Sequence, residues 1–423
     1  MNDLFLVNRR EFIKKVSMIS GSAVALASMP WLKILAEGNT KSPSDKVRLA
    51  LIGMGDRGKL LTQHIESFAS IINAELVAIC DDYLPNLKAG IELTKGKAKT
   101  FTDYRKLLDE KNIDAIIIAT PLHEHAHMTI ESLNSGRDVF CEKAMARTMD
   151  DTKLMYDTHR SSGKILQVGH QRMFSPVYLD AVKKIHSGNI GKVTQLRAYW
   201  HRNNNWRRPV PSPELERKIN WRHYEEYSAG LLTELASHQI QVANWIMKGT
   251  PESVMGTGSI NFWKDGREVY DNIAMIFSYP DGTQFIYDSV ISNKHYGCEE
   301  QIMGNKGTME LEVNKYFSET IPQAPAILQL INDIEKDVFD TIPIGGASWV
   351  PETAVQYKGN YISENYKMDE VKLQLEAFVK YIRKGKAPEM LPIEGYNSSI
   401  WTLLAEQAIK TGQKLTLPDK YKV

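Results

Sequence analysis

Residues 47–58 read VRLALIGMGDRG, an apolar run that ends in a cluster of glycines and is followed by an amphipathic stretch. The run at 47–52 is too short for a helix and therefore predicts a buried strand. Gly53, Gly55 and Gly58 fit the pattern G-x-G-x-x-G at the start of a helix. In that pattern the first glycine makes a tight turn, the second lets the main chain approach a diphosphate, and the third allows close helix–strand packing. The stretch therefore predicts a dinucleotide-binding turn.

The next two apolar runs support this interpretation. The run at 74–80 ends at Asp81, 23 positions after the last glycine of the turn, close to the spacing of about 20 expected for an acid that binds a ribose. A carboxylate there accepts hydrogen bonds from the ribose hydroxyls and repels a 2′-phosphate, so NAD is predicted rather than NADP. The alternative is that Asp81 caps the following helix. A third run, 113–119, leads into Thr120 and Pro121 and completes a strand–turn–helix–strand order.

Strands and helices alternate over the first part of the chain, which predicts an α/β fold with an N-terminal, Rossmann-type, doubly wound parallel sheet. One of its helices is predicted over 101–111, started by Asp103. Alternation with period two from about Lys192 predicts a C-terminal α+β domain with an open, mostly antiparallel sheet. Strands are predicted there at 193–200, 254–262, 273–279, 284–290, 301–303 and 308–311, and helices at 368–384 and 396–412 are expected to cover the sheet.

The first residues of the chain are similar to a twin-arginine export signal, since they read Asn8-Arg9-Arg10-Glu11-Phe12-Ile13-Lys14 before a mildly apolar stretch. The expected partner is the twin-arginine export machinery, and the expected location is the periplasm. A basic amphipathic helix is the alternative for this segment. The predicted organisation is a signal peptide at 1–36, a linker at 37–45, the NAD-binding domain at 46–170, and a domain for substrate binding and oligomerisation at 171–423.

Charge and cysteine content exclude some classes of protein. The chain has 423 residues, 24% of them charged, with a formal net charge of +1 at pH 7. A chain of this balance offers no basic surface for nucleic acid or anionic membrane, so no nucleic-acid partner is expected. The three cysteines lack metal-ligand spacing, and no disulfide framework is expected.

Several later motifs occur in a recognisable order. They are Thr120-Pro121-Leu122-His123-Glu124-His125, Glu142-Lys143-Ala144, Gly169-His170-Gln171-Arg172, and Ala229-Gly230 followed by Glu234 and His238. Together with the glycine turn they resemble the Gfo/Idh/MocA family (glucose–fructose oxidoreductase and inositol dehydrogenase). Three residues depart from the family pattern: Ala144 stands in place of a proline, Ala229 of a glycine, and Glu234 of an aspartate.

The resemblance implies that Lys143 and His238 both contact a reacting hydroxyl. An imidazole titrates near neutral pH and can take the hydroxyl proton. An ammonium at the end of a parallel strand can stabilise a developing alkoxide. Which of the two is the base stays open. Glu234 lies four positions before His238 on the predicted helix, so its carboxylate is expected to orient the imidazole.

The histidines at 123, 125 and 127 suggest a metal cluster at first sight, but the middle one lies off the helix face that the others share. They are interpreted as structural or cofactor-contacting, and no metal is predicted. The residues expected to bind the cofactor, from the turn, from Asp81 and from the motifs, are Gly53, Met54, Gly55, Asp56, Arg57, Gly58, Asp81, Thr120, Pro121, His123, His125, Glu142, Lys143 and His170.

A stretch rich in aromatic, arginine and asparagine side chains follows the first strand of the second domain. Aromatic faces stack on the C–H faces of a pyranose while polar side chains bind its hydroxyls, which predicts a sugar site. Single-stranded nucleic acid and a merely packed insertion are the alternatives. The expected substrate residues, two of them from the Gly-His-Gln-Arg motif, are Gln171, Arg172, Asn205, Trp206, Arg207, Trp221, Arg222 and Tyr224.

These residues predict an NAD-dependent oxidoreductase that acts on a hydroxyl of a sugar or glycoside. Because an exported enzyme meets little free NAD, the cofactor is expected to stay tightly bound and to be recycled. The alternatives are an NAD-dependent glycosidase that works by transient oxidation and elimination, and a non-catalytic dinucleotide-binding protein. The resemblance also implies a homodimer or homotetramer, assembled through the open sheet.

Overall fold

The computed structural model describes residues 46–319 and 359–423. The predicted signal peptide and linker lie outside the described residues. Among the described helices, none combines the length and the apolar character needed to cross a membrane.

The first sheet has six parallel strands in the order β3-β2-β1-β4-β5-β6. Its central strands are almost completely buried, as expected for a parallel sheet covered by helices on both faces. The strand order reverses between β1 and β4, and ligands of doubly wound sheets bind at such a point. The strands are β1 (Val47–Ile52), β2 (Ala74–Cys80), β3 (Lys99–Phe101), β4 (Ala115–Ile118), β5 (Asp138–Cys141) and β6 (Leu166–Val168). The predicted Rossmann-type fold is confirmed.

The first domain departs from the prediction around its third strand. The predicted helix at 101–111 is wrong at its start, because Lys99–Phe101 forms the edge strand β3. The helix itself spans only Tyr104–Leu108, and the Asp103 side chain caps it by accepting from the main-chain N of Arg105 at 3.0 Å. The helices of this part are α1 (Asp56–Ile72), α2 (Leu84–Leu93), α3 (Tyr104–Leu108), α4 (His125–Asn134) and α5 (Met149–Ser162).

The second sheet has nine strands in the order β14-β13-β12-β11-β7-β10-β9-β8-β15. Only the β7–β10 pair is parallel among its described pairs, so the predicted mostly antiparallel sheet is confirmed. The strands are β7 (Val193–His201), β8 (Ser253–Ser259), β9 (Asn272–Ser278), β10 (Gln284–Val290), β11 (Cys298–Gly304), β12 (Gly307–Glu310), β13 (Lys315–Ser318), β14 (Asn360–Tyr361) and β15 (Leu415–Thr416).

Five further described helices follow the first sheet along the chain. They are α6 (Pro176–His186), α7 (Glu216–Ile219), α8 (Ser237–Met247), α9 (Glu370–Lys384) and α10 (Met390–Thr411). The expectation that α9 covers the second sheet is wrong, since its Leu375 and Phe378 belong to the core of the first sheet. Helix α10 contributes Trp401 to the core of the second sheet and Tyr396 to that of the first. The two domains therefore share one packed helix layer.

Candidate active site

The glycine turn lies between β1 and α1, with each glycine in a different steric situation. Gly53 has φ +93°, and a Cβ there would lie 2.7 Å from the main chain of Ala119. A Cβ on Gly58 would lie 1.8 Å from the carbonyl oxygen of Gly53, which explains why the helix approaches the strand so closely. A Cβ on Gly55, by contrast, would meet no atom of the described chain within 4 Å. The second glycine therefore faces open space beside the N-terminus of α1, where a diphosphate can bind.

Asp81 lies directly after β2, next to this turn. Its carboxylate accepts hydrogen bonds from the main-chain N of Met54 at 2.7 Å and of Tyr83 at 2.8 Å. Burial raises the pKa of Asp81 and outweighs the lowering effect of these hydrogen bonds. The Met54 side chain is buried, so only its main chain can face a cofactor. Asp81 thus ties the end of β2 to the glycine turn, and the alternative of a mere helix cap does not account for its bond to Met54.

The residues present fit a dinucleotide. Within the described part of the chain, Thr120 Oγ1, His123 Nδ1 and His170 Nδ1 are buried and have no hydrogen-bond partner. Buried polar groups are normally satisfied, so atoms of this kind mark places where a bound molecule can donate or accept. All three belong to the residues expected to bind the cofactor, and Thr120 lines the cavity described next.

A cavity of about 620 Å³ begins at the glycine turn and extends between the two domains. Its lining combines main-chain and polar groups of the first domain with aromatic and cationic side chains of the second. The lining residues are Asp56, Arg57, Ala119, Thr120, Leu122, His125, Glu142, Lys143, Gln171, Trp200, Arg202, Asn204, Trp206, Arg207, Arg208, Trp221, Arg222, Glu234, Leu235 and His238. Both expected catalytic groups, Lys143 and His238, therefore face the same space as the glycine turn.

Lys143 follows β5 and reaches across the domain boundary. Its Nζ donates to the main-chain carbonyl oxygens of Thr233 at 3.0 Å and Glu234 at 2.8 Å. Burial lowers the pKa of Lys143, and the charges of Arg222 and Arg57 lower it further against the opposing effect of Glu234 and Glu142. An ammonium whose pKa is lowered gives up its proton more readily, so Lys143 can act either as a donor to an oxygen or as a base.

His238 lies in the first turn of α8. Burial holds the pKa of His238 well below its usual range, and the charges of Lys143, Arg172 and His170 act in the same direction. Its ring lies edge-on to that of His170, with centroids 6.1 Å apart, and 5.6 Å from that of Trp200. Near neutral pH the imidazole is therefore uncharged and carries a lone pair that can accept a proton.

The expectation that Glu234 orients His238 is wrong. Glu234 lies in a π-helical turn, Leu232–Ala236, that precedes α8. Such a turn is wider than an α-helix, so residues four apart no longer lie above one another. The Glu234 carboxylate instead accepts from Nε of Arg222 at 2.6 Å. Burial raises the pKa of Glu234, but Arg222 and Lys143 outweigh it and hold that pKa below the usual value.

The histidines of the Thr-Pro motif have separate roles. Both ring nitrogens of the buried His125 contact main-chain carbonyls, Ala144 at 2.9 Å and Thr120 at 3.0 Å. The ring thus joins the two loops that carry Thr120 and Lys143, which agrees with the structural interpretation of this histidine, and the residue also lines the cavity. Nε2 of His127 pairs with Glu124 at 2.7 Å, and its Nδ1 lies 3.0 Å from the hydroxyl of Tyr104. The turn before α4 is therefore held by its own histidines.

Other residues that were expected to bind the cofactor lie near the glycine turn. Arg57 and Glu142 form an ion pair of 2.7 Å between α1 and the end of β5. Pro121 begins the short 3₁₀ turn Leu122–Glu124. His170 is buried, its Nε2 lies 2.9 Å from Oγ of Ser398, and burial lowers its pKa to about 3. Of these residues, Arg57 and Glu142 line the cavity, whereas Pro121 and His170 are not among its lining residues.

Three of the expected substrate residues do not line the cavity. Arg172 is buried beneath it and pairs with Glu300 at 2.8 Å and Glu312 at 2.5 Å. The main-chain oxygen of Asn205 is held by His223 and Arg267, and the Tyr224 hydroxyl donates to Glu216. These residues support the site rather than face it. Those that do line it are Gln171, Trp206, Arg207, Trp221 and Arg222.

Among the lining residues of the second domain, the prediction missed Trp200, Arg202, Asn204, Arg208 and Leu235. All but the last belong to the same aromatic and basic stretch that suggested the sugar site, so the signal was present. The guanidinium of Arg202 lies 5.0 Å from the Trp200 ring centroid. Sequence spacing alone does not tell which members of such a stretch point inward.

One cluster among the described residues has a metal-like composition, Cys298, Glu300 and Glu312. The guanidinium of Arg172 lies among them, with Nη2 3.4 Å from Sγ of Cys298 in addition to its two ion pairs. Burial raises the pKa of Glu300 to about 7 despite this cation. The cluster is thus built around an arginine, and the carboxylates already have a cationic partner.

Comparison with known proteins agrees with this geometry. Residues 47–170 match the profile described as the oxidoreductase family with an NAD-binding Rossmann fold. Residues 178–310 match the GFO/IDH/MocA C-terminal domain. The scyllo-inositol 2-dehydrogenase (NAD(+)) of Bacillus subtilis (strain 168) is 23% identical over 379 residues, which cover 89% of this chain and 97% of that protein.

Solved structures share the fold at low sequence identity. The WlbA dehydrogenase from Chromobacterium violaceum, solved with NADH and UDP-GlcNAcA, superposes with a TM-score of 0.68 at 21% identity, covering 90% of this chain and 99% of its own. Levoglucosan dehydrogenase in complex with NADH and levoglucosan superposes with a TM-score of 0.67 at 20% identity, covering 89% and 100%. With both domains matched over more than half of its length, this chain belongs to the Gfo/Idh/MocA family of oxidoreductases.

Proposed function

We propose that this protein is an NAD-dependent oxidoreductase that acts on a secondary hydroxyl of a sugar, polyol or glycoside. The observation that carries the proposal is that Lys143 and His238 face one cavity together with the glycine turn. The inositol and levoglucosan dehydrogenases among its relatives and structural neighbours support this substrate class. A non-catalytic binding protein would have no use for two proton-exchanging groups at this place.

The cofactor and the protein contribute different parts of the proposed reaction. When bound, NAD supplies the acceptor for the hydride that leaves the carbinol carbon. As that carbon becomes a carbonyl, the hydroxyl proton must go to a base, and the lowered pKa values of both candidate groups favour their unprotonated forms, which can accept it. The neutral imidazole of His238 can take the proton while the Lys143 ammonium donates a hydrogen bond to the same oxygen. The opposite division of roles stays open.

The aromatic lining supports a carbohydrate rather than a small acid. Trp200, Trp206 and Trp221 all line the cavity, and indole rings offer flat surfaces for the C–H face of a sugar ring. Asn204 and Gln171 add amide groups that can bind hydroxyls. These groups lie on the second domain or at the boundary, so the second domain selects the substrate.

We further propose that NAD stays bound between turnovers and that the protein acts outside the cytoplasm as a homo-oligomer. The motif at Arg9 and Arg10 supports export by the twin-arginine route, which carries folded proteins and would keep the cofactor in place. Fractionation of cells that produce the full chain and a variant with both arginines changed to lysine tests the export. Light scattering of the purified protein tests the oligomer.

The function is tested by adding inositols, free sugars and glycosides to the protein and recording the absorbance of reduced nicotinamide. A ketosugar product with stoichiometric reduced cofactor supports the oxidoreductase. Release of free sugar from a glycoside without net reduction would favour transient oxidation and elimination, the glycosidase alternative. Absence of both products for every substrate class would contradict the proposal.

A further inference from the structure

A segment of the second domain lies against the dinucleotide turn of the first. We call residues 202–218 the strap; it follows β7 and ends in the short helix α7. Arg202, Asn204, Trp206, Arg207 and Arg208 of the strap line the same cavity as Asp56 and Arg57 of the turn. A cofactor that lies on the turn therefore has the strap as its other wall.

Two ion pairs connect the strap to the first domain, each at a landmark of the dinucleotide site. Nη2 of Arg208 lies 2.6 Å from Oδ2 of Asp56, the first residue of α1. Nζ of Lys218 lies 2.7 Å from Oδ2 of Asp82, which follows the ribose acid Asp81. The first pair marks the diphosphate position and the second marks the ribose position.

The strap is held in place by buried polar side chains of its own domain. Asn220, only 2% exposed, accepts from the main-chain N of Arg208 at 2.8 Å and donates to its carbonyl oxygen at 3.0 Å. Arg267 donates to the main-chain oxygen of Asn205 at 2.9 Å, with its own side chain completely buried. Because buried hydrogen bonds of this kind fix a backbone, the position of Arg208 is built into the second domain.

The charges explain why an arginine is needed at this place. Asp56 puts a carboxylate at the N-terminus of α1, next to the open space at Gly55, where it would repel a diphosphate. A guanidinium has five N–H donors in a planar fork, so Arg208 can neutralise Asp56 and still offer donors to phosphate oxygens. No other described side chain of the second domain has an ion pair with the first residue of α1.

We propose that Arg208 is a diphosphate-binding residue supplied by the second domain, and that Arg208 and Lys218 together clamp the dinucleotide between the domains. The inference rests on the proposed use of NAD. It also gives a physical reason why bound NAD would be released slowly. Exposed ion pairs contribute little by themselves, so the contact of Arg208 with the diphosphate carries most of the effect. Release of the cofactor then requires the strap to separate from the turn.

The test compares NADH dissociation from the full-length protein and four variants, Arg208→Gln, Arg208→Lys, Lys218→Gln and Arg217→Gln. Dissociation is followed by the loss of nicotinamide fluorescence after a chase with excess NAD. Arg217 is the matched control, because it neighbours Lys218 on α7 but pairs with Glu226 and Glu268 inside its own domain. Thermal unfolding of each variant without cofactor checks that the fold is kept.

We expect R208Q to raise the dissociation rate about tenfold or more, the loss typical of a charge-assisted hydrogen bond. R208K should recover part of this loss, K218Q should raise the rate about threefold by weakening an exposed pair, and R217Q should leave it unchanged. Added salt should speed release from the wild type more than from R208Q.

Equal dissociation rates for the wild type, R208Q and the double variant R208Q/K218Q would overturn the clamp while leaving the proposed function intact. A wild type that carries no dinucleotide as purified and also fails to bind added NADH would overturn the proposed function together with the clamp. The two failures are therefore distinguishable by one set of measurements.

Discussion

The Nζ of Lys143, at the end of β5, lies 2.8 Å from the main-chain oxygen of Glu234 in the other domain. The bond ends on a π-helical turn, four residues before His238. An α-helical turn would have aligned the Glu234 side chain with the His238 imidazole. The π-helical turn instead directs its main-chain carbonyl oxygens toward Nζ of Lys143. As a result, each domain supplies one of the two proposed proton-exchanging groups, and the site exists only when the domains are packed together.

Replacing His238 by Asn should lower turnover by about 10²–10⁴-fold, the usual contribution of a positioned acid–base group. NADH dissociation should change little, because the imidazole lies on the substrate side of the cavity, against Trp200. Steady-state kinetics with a reactive glycoside and NADH fluorescence measure the two effects. Unchanged turnover would remove His238 from the mechanism.

Replacing Lys143 by Met tests the partner group. We expect a fall in turnover of the same order, and loss of the acidic limb of the pH–rate profile if the lysine is the base. Because the pKa of Lys143 is lowered, that limb should lie below the range of a free lysine. If the limb persists in K143M and disappears in the His238 variant, the imidazole is the base.

Gly55 and Gly58 should respond in opposite ways to alanine. At Gly55 a methyl group meets open space and φ is −65°, so G55A should fold normally but bind NAD at least about tenfold more weakly. At Gly58 the methyl group would collide with the Gly53 carbonyl, so G58A should lose about 1–3 kcal/mol of stability. Thermal unfolding and NAD titration of both variants separate the effects. Unaltered NAD binding in G55A would contradict the placement of the diphosphate.

Asp81 should set the preference for NAD. In Asp81→Asn the side-chain oxygen can still accept from Met54, so the turn should persist while the charge that repels a 2′-phosphate is lost. We expect about 10–100-fold weaker NAD binding, since hydrogen bonds to a charged acceptor are lost, and measurable binding of NADP. The measurement is the ratio of the two dissociation constants, and an unchanged ratio would count against the ribose role.

Stability should fall on the acid side because of buried histidines. Burial lowers the pKa of His170 to about 3, and those of His125, His223 and His238 are also lowered. In the unfolded chain these groups take up protons near pH 6.5, so between about 6.5 and 3 the unfolded state binds more protons. Each histidine thus adds stability above about pH 6.5 that is lost as the pH falls, by up to about 1.4 kcal/mol per pH unit.

Denaturant unfolding at several pH values measures this slope. Replacing His170 by Asn should make the dependence of the unfolding free energy on pH shallower by the contribution of one histidine. This holds whatever the replacement does to stability at neutral pH. A slope unaffected by H170N would contradict the assignment of a neutral, buried imidazole.

The sequence was informative wherever a local pattern determines the geometry. The glycine turn, Asp81 and the order of motifs depend on spacing within one strand–turn–helix unit, so they could be placed without a structure. The edge strand β3 carries only exposed or half-buried residues and offers no apolar pattern, which is why a helix was predicted across it.

Long-range partners could not be predicted. Arg172 looked like a substrate residue within its motif, yet its carboxylate partners, Glu300 and Glu312, lie on distant elements. Glu234 had the spacing of a helical neighbour of His238, but the π-helical turn redirected it to Arg222. Arg208 belonged to the stretch that predicted a sugar site, but its pairing with Asp56 of the other domain could not be predicted.

The most direct test of the account uses the purified protein with nothing added. The protein is denatured, the released NAD(H) is measured per chain, and a second sample is mixed with glycosides while the absorbance of reduced nicotinamide is recorded. We predict close to one dinucleotide per chain, and we predict that a glycoside or polyol reduces this dinucleotide while it stays bound. A protein that carries no dinucleotide, binds none when it is supplied and reduces none with any substrate would contradict the proposed NAD-dependent activity.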